Sequence, residues 1–301
     1  MLKKLSLIRK IAFASVCIAF IISFICLCVK NESVKAVKEN AVLSVWQIDS
    51  FEGGKGSRAD YLKTVGKEFN KKENCYVNVV SLSAEAARLN LSNGTVPDII
   101  SYGAGTYGIE SFVKKYSVWC RGGYCLLTLD GNADFTDATA DNTVINGGKE
   151  NFASAAALFC GLQGAKVESP TSAYVKLING DYKYLLGSQR DAFRLKTRGV
   201  AFAVKPVTEF NDLYQIISVT VSCKNTGFAQ RYIDFLLSKN NGLDKIGMFS
   251  DGVKLYDDEL AAFENLVFDR KITYPISQGM KAEIEKSVSL GDINILKELL
   301  K

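Results

Sequence analysis

Between Val42 and Gly103 short apolar runs alternate with stretches of helical spacing, and this alternation narrows the fold more than any other feature of the chain. Val42–Ile48 (VLSVWQI), Tyr76–Leu82 and Ile99–Tyr102 are short, apolar and bounded by turn-forming residues, which predicts buried strands. Leu62, Val65 and Phe69 recur at helical spacing and predict a helix over Arg58–Lys71. Ser83 is placed to cap a second helix running through Leu91 and ending at Asn93 and Gly94. Strand, helix, strand, helix, strand is the order of a parallel α/β unit.

The third strand opens into a glycine-spaced loop, GAGTYG at Gly103–Gly108. Ligands of open α/β sheets gather beyond the carboxyl ends of strands, where loop groups face a crevice, so this loop is the first candidate for ligand contact. The same letters match Gly-x-Gly-x-x-Gly, but two strands already precede them, which is the wrong place for a dinucleotide fingerprint. Glycines serving only a turn are the plain alternative. The other glycine-rich loop, Asp49–Ser57, lacks the Gly-x4-Gly-Lys-Ser/Thr spacing that cradles phosphates.

Charge and histidine content remove whole classes of function. The formal charge of +5 is concentrated at the N-terminus, where residues 1–36 hold six Lys or Arg against Glu32; beyond them 31 basic residues face 31 acidic ones. That balance gives no phosphate-facing surface, and no nucleic-acid partner is expected. With no histidine in 301 residues, imidazole triads and histidine metal sites are excluded. No cofactor and no metal is expected. Beyond the apolar N-terminal run five cysteines are left, Cys75, Cys120, Cys125, Cys160 and Cys223, an odd number that cannot pair completely within one chain. Cys120 and Cys125 are close enough in sequence to close a small loop, but unpaired thiols fit the odd count better.

Residues 1–10 carry four positive charges and Ile11–Val29 carries none, a length able to span a bilayer with the N-terminus held inside. Val34, Lys35 and Ala36 equally suit cleavage after Ala36. A cleaved signal and a retained anchor both stay open, and residues 1–36 are assigned to one or the other. A lipoprotein junction at Cys28 is disfavoured by the bulky Leu27. In each case the rest of the chain is expected outside the cytoplasm, at the cell surface or secreted.

The order of these pieces resembles a known family. A first strand running into VWQIDSFEGG, a helix carrying EFNKK, a second strand, and a helix followed by LSNGTVPDIISYG are similar to the opening of extracellular solute-binding proteins of ABC importers, particularly their carbohydrate-binding branch. The resemblance implies an α/β, two-lobed, periplasmic-binding-protein-like fold of type II, each lobe a sheet flanked by helices, with a cleft between them. It divides the chain into a first lobe over residues 42–122 and 207–248 and a second over residues 123–206 and 249–301. The expected crossings fall near Gly122 and Gly123, in the strand Val200–Val207, and in Ile246–Asp251. Further elements expected are a strand at Tyr124–Leu129, a small-residue helix at Asn151–Leu162, a short helix at Tyr174–Gly180, a strand entering at Tyr182 whose exit carries Gln189–Asp191, and a helix at Phe228–Leu237. Leu260, Phe263 and Val267, then Met280, Ile284 and Val288, mark closing helices, and Asp292 caps the last one.

A solute that is gripped and released needs polar groups that replace its hydration, and flat apolar surface if it is a sugar. At the expected strand exits the candidates are Trp46, Gln47 and Asp49; Ser101, Tyr102 and Gly103; Gln189, Arg190 and Asp191 from the second lobe; and Tyr214 and Gln215 after the return. Trp46 suits the core as well as a site. Arg190 and Asp191 read also as an ion pair at a lobe junction, and Tyr214 and Gln215 as a hinge buttress. Asp98, after Pro97, is expected to hold a turn. Asp257, Asp258 and Glu259 look like a solvated helix start.

The function expected is a receptor, not an enzyme: a monomer that closes by hinge motion around a small solute, a carbohydrate by the resemblance, and presents it to a membrane permease. The N-terminal segment would supply the contact with the membrane surface. Two alternatives stay open, a surface enzyme acting on glycans through a carboxylate pair and a membrane-anchored solute sensor.

Overall fold

Leu43, Val45 and Ile48 of β1 (Ala41–Asp49) have no exposed surface, because this strand lies inside a sheet between two parallel neighbours, β2 (Cys75–Ser83) and β3 (Ile99–Gly103). The chain reaches each neighbour through a helix. α1 (Arg58–Glu73) begins where Ser57 accepts from the Asp60 amide, and ends at Asn74, which takes a left-handed φ of 53°. Its buried stripe, Leu62, Val65, Gly66 and Phe69, is the one its spacing predicts. Gly66 is needed there for space, since a Cβ would lie 2.9 Å from the Cβ of Val77. α2 (Ala84–Ser92) is capped by Ser83, whose hydroxyl accepts from the Ala86 amide. Asp98 ties β3 to β1 by accepting from both the amide and the hydroxyl of Ser44.

In this computed structural model residues 41–49, 56–148, 150–250 and 252–301 are described. The apolar run Ile11–Val29, the junction at Ala36 and most of the loop Asp49–Ser57 lie outside them. Among the described residues no helix is long and apolar enough to cross a membrane, and no three His, Cys, Asp or Glu side chains are grouped to hold a metal ion. Cys75, Cys120, Cys125, Cys160 and Cys223 form no disulfide, so Cys120 and Cys125 do not close a loop.

The first sheet is completed by β4 (Val113–Arg121) and by β10 (Tyr214–Thr220), which returns late in the chain and runs antiparallel between β3 and β4. The second sheet is built alike. β5 (Tyr124–Thr128) runs antiparallel beside β8 (Tyr184–Ser188), which continues in parallel through β6 (Thr143–Asn146) to β7 (Lys166–Glu168), and β9 (Ala203–Pro206) forms the other edge. Helices flank both sheets: α3 (Ala153–Phe159), α4 (Pro170–Asn179) and α5 (Gln189–Thr197) in the second lobe, and α6 (Thr226–Leu237), which sets Tyr232 edge-on against Phe69 of α1, in the first. α7 (Gln278–Leu290) and α8 (Ile293–Leu299) pack on α3, and Asp292 caps α8.

Three strands of chain pass between the sheets at one place. Arg121 and Phe249 exchange backbone hydrogen bonds of 2.9 and 3.0 Å, and the Gly122 amide donates to the Leu213 carbonyl at 2.6 Å. The Asn211 side chain donates to the Gly122 carbonyl at 3.0 Å, and the buried Arg121 guanidinium donates to the carbonyls of Phe263 and Glu264.

Several local expectations are corrected. The strand expected from Tyr182 ends at Ser188, because Ser188 and Asp191 form a capping box that starts α5, so Gln189–Asp191 do follow directly on the strand but as the first turn of a helix. Val200–Val207 is not the return: Ala203–Pro206 pairs with β5 as an edge strand, and the chain crosses back only afterwards. No helix carries Leu260, Phe263 and Val267. A 3₁₀ turn, Glu259–Phe263, ends where the Glu264 carboxylate folds back to accept the amides of Leu255 and Tyr256, leaving Val267 84 % exposed. β6 and β7 have no counterpart in the sequence reading.

Candidate functional site

The carboxyl ends of β3 and β6 point their loops at one another. From the first lobe come the GAGTYG loop and α2; from the second, Gly147–Phe152 and the start of α3. A Cβ on Gly105 would lie 2.6 Å from the Glu150 carbonyl oxygen and 2.9 Å from Asp212 Oδ2, so backbone meets backbone here. Beside this contact is a cavity of 530 Å³, walled by Arg88 and Tyr107 on one side, Glu150 and Phe152 on the other, and Lys281 and Ile284 of α7. That volume is in the range of small-molecule sites.

Two carboxylates organise the junction. Arg88 of α2 meets Glu150 with both nitrogens, Nη2 to Oε1 at 3.1 Å and Nη1 to Oε2 at 3.3 Å, and its guanidinium lies 4.3 Å from the centre of the Tyr107 ring. Asp212, in the returning segment, is 2 % exposed. It accepts from the Tyr124 hydroxyl at 2.6 Å and from the Phe152 amide at 3.0 Å, both in the second lobe. Burial pushes its acid up to about 6, although both hydrogen bonds pull the other way. The Tyr124 hydroxyl is raised well above its ordinary value by burial and by the Asp212 charge.

The residues singled out from sequence form two groups. Gln47, Ser101 and Gln215 are adjacent in the first sheet: Gln47 lies opposite Ser101, and Gln215 donates to Ser101 Oγ at 3.1 Å. Ser101 also accepts from Trp119 Nε1 at 3.0 Å, and Gln215 Oε1 accepts from the fully buried Arg58. Tyr102 and Gly103 are buried in β3, and the Tyr214 carbonyl accepts from the Ala104 amide beside them. Trp46 is 7 % exposed within the core, and Asp49 accepts from Ser81.

Gln189, Arg190 and Asp191 sit at the crossing. Gln189 accepts from the Gly123 amide and donates to the Gly247 carbonyl, Arg190 donates to the Ile246 carbonyl, and Asp191 accepts from Asn146 Nδ2 at 2.7 Å. Arg190 is only 5 % exposed. Arg190→Ala is therefore expected to lower the stability of the empty protein by about 1–3 kcal/mol, since a buried carbonyl loses its donor; urea denaturation measures it, and an unchanged midpoint would refute the structural role.

Arg88, Glu150, Asp212 and Lys281 escaped the sequence reading, and Tyr107 entered it only as part of the GAGTYG loop. Each looks like an ordinary surface or loop residue on its own, and Arg88 and Glu150 are 62 positions apart. The one available signal was the position of Glu150 just after Gly147 and Gly148, at the end of an apolar strand.

Two mixed sheets flanked by helices, joined by a narrow crossing and enclosing a cavity, make up the two-lobed α/β fold of periplasmic binding proteins. Solved structures share it at low sequence identity. The ferric binding protein from Campylobacter jejuni aligns over 85 % of this chain and 99 % of its own, with 12 % identity and a TM-score of 0.56. A two-component system protein that mediates signal transduction aligns over 83 % and 100 %, at 13 % and 0.60. The periplasmic binding protein AfuA from Actinobacillus pleuropneumoniae, solved with fructose-6-phosphate, aligns over 86 % and 96 %, at 10 % and 0.53. No protein-family profile and no curated protein matches the sequence.

Proposed function

We propose that the chain is an extracytoplasmic solute-binding receptor that closes around a small polar solute, expected to be a carbohydrate, and delivers it to the permease of an ABC importer. The observation that carries this reading is the 530 Å³ cavity bounded by both lobes beside a three-stranded crossing. A cavity shared by two bodies couples occupancy to their closure, because contacts made to both stabilise the closed population. The lining mixes one tyrosine ring, cations and carboxylates with the apolar Ile284 and Phe152, which suits a solute with many polar groups. The likeness in fold adds analogy to bacterial binding proteins, and it bears on architecture before chemistry.

The test is a thermal-shift screen of the full chain against sugars, amino acids, short peptides and inorganic anions. A solute at a hundred times its dissociation constant adds about 2.7 kcal/mol, an upward shift of about 5–10 °C for a protein of this size. Saturable binding without turnover supports the receptor. Turnover of a glycan, or no response to any class, overturns it. A sensing role is a second reading, favoured by the fold shared with the two-component system protein; it requires that Ile11–Val29 stay attached, which mass spectrometry of the mature N-terminus decides.

A further inference from the structure

Among the described residues the ion pair between Arg88 and Glu150 is unlike the other charge pairs. Most are exposed or lie within one element, as Lys281 with Glu285 does on α7. Arg88 and Glu150 belong to different lobes, and they meet at the edge of the cavity with side-chain exposures of 22 % and 6 %. Glu150 spends both oxygens on one guanidinium. That two-pronged geometry is how a guanidinium takes any carboxylate or phosphate, and it is specific enough that lysine does not replace it.

The two partners are held differently. Arg88 stands on α2, its guanidinium laid over the Tyr107 ring and Nη1 3.4 Å from the Tyr107 carbonyl. Lys281 reaches the same ring from α7, with Nζ 4.9 Å from its centre. Glu150 comes from the loop between β6 and α3, two residues after Gly148. The cation side is thus a built seat, fixed by a helix and an aromatic ring, while the anion side is a loop residue. With Glu150 withdrawn, the ionised side chains around the cavity are, among the described residues, Arg88 and Lys281 against Glu85 and Glu285, so one anionic group restores their original sum.

We propose that Arg88 is the anchor for an anionic group of the solute, a carboxylate or a phosphate, and that Glu150 occupies this seat as an internal stand-in in the empty protein. The inference rests on the receptor reading and narrows its solute to one that carries such a group. Solute binding exchanges one anion for another at Arg88 and frees the Glu150 carboxylate to take up the remainder of the solute. Because the seat is never left without an anion, the exchange avoids leaving the half-buried guanidinium unpaired.

Inorganic phosphate is the probe, titrated into the full chain against sodium chloride at matched ionic strength and read by thermal shift. Glu150→Gln removes the competing charge with little change of shape, and is expected to lower the phosphate concentration giving half the maximal shift by at least about tenfold. The double variant Arg88→Met with Glu150→Gln should lose the response, and Arg88→Lys with Glu150→Gln should weaken it by about tenfold. Far-ultraviolet circular dichroism identifies a variant that has not folded, and in that case the lysine variant decides. An equal phosphate response in the wild type and Glu150→Gln, or one that survives the loss of Arg88, overturns the proposal.

The two readings fail separately. A neutral sugar bound equally well by the wild type and Arg88→Met would keep the receptor and sink the anion seat. An Arg88-dependent phosphate response, with no solute of any class bound by the wild type, would keep the seat and sink the receptor.

Discussion

Gly105→Ala is expected to hold the two lobes apart and to weaken the binding of any solute found in the cavity by at least about tenfold. The glycine is required there for room, and its φ lies outside the left-handed region. A single methyl would sit 2.6 Å from the carbonyl oxygen of Glu150 and 2.9 Å from Asp212 Oδ2. The first of these atoms is backbone, so no side-chain rotation relieves the contact. The second is fixed by Tyr124 and Phe152. The cheapest escape is for the GAGTYG loop and the Gly147–Phe152 loop to separate, which stretches the Arg88–Glu150 pair across the same junction. Small-angle scattering should show a larger radius of gyration for the empty variant, and isothermal titration the loss of affinity. Gly131→Ala, with nothing within 4 Å of its new methyl, is the control. Wild-type scattering and affinity in Gly105→Ala would mean that closing these two loops plays no part in binding.

The organisation of the first lobe was legible because its signals are local. Ser83 and Asp292 announce helix starts through their own side chains, and Leu62, Val65 and Phe69 mark a helix face by spacing alone. The expected strand exits placed Gln47 and Ser101 in one region of the first sheet, and the resemblance brought Gln215 back to the same lobe. Neither revealed Arg58 and Trp119, which complete their hydrogen bonds from other elements. Gln189–Asp191 illustrate a different limit. The Ser-x-x-Asp of a capping box was present at Ser188 and Asp191, but it directly follows an apolar strand, and the strand signal masked the helix start.

The candidate site was the least legible part, for a physical reason. Its defining contacts join residues from opposite lobes: Arg88 with Glu150, and Asp212 with Tyr124 and Phe152. Such pairings depend on how the two sheets are set against each other, and no local spacing records that. The GAGTYG loop stood out because it lies beyond the carboxyl end of a strand, where loop groups face a crevice.

Asp212 should make the stability of this protein depend on pH in a direction opposite to that of most carboxylates. In the folded chain its acid is raised to about 6, from an ordinary value of 3.8, because burial penalises the charged form. Between these values the folded state binds a proton that the unfolded state has already released. Stability from this group is therefore greatest below about pH 4, declines as pH rises toward 6, and is level above it, a loss of roughly 3 kcal/mol. Other carboxylates contribute their own slopes, so the quantity to measure is the difference between the wild type and Asp212→Asn, by urea denaturation from pH 4 to 8. Asparagine offers one acceptor where the Tyr124 hydroxyl and the Phe152 amide need two, a cost of about 1–3 kcal/mol that is the same at every pH. Relative to the variant, the wild type should lose stability from pH 4 to 6 and then run parallel to it. A constant difference across the whole range would show that Asp212 keeps an ordinary acidity, and that the hydrogen bonds from Tyr124 and Phe152 offset its burial in full.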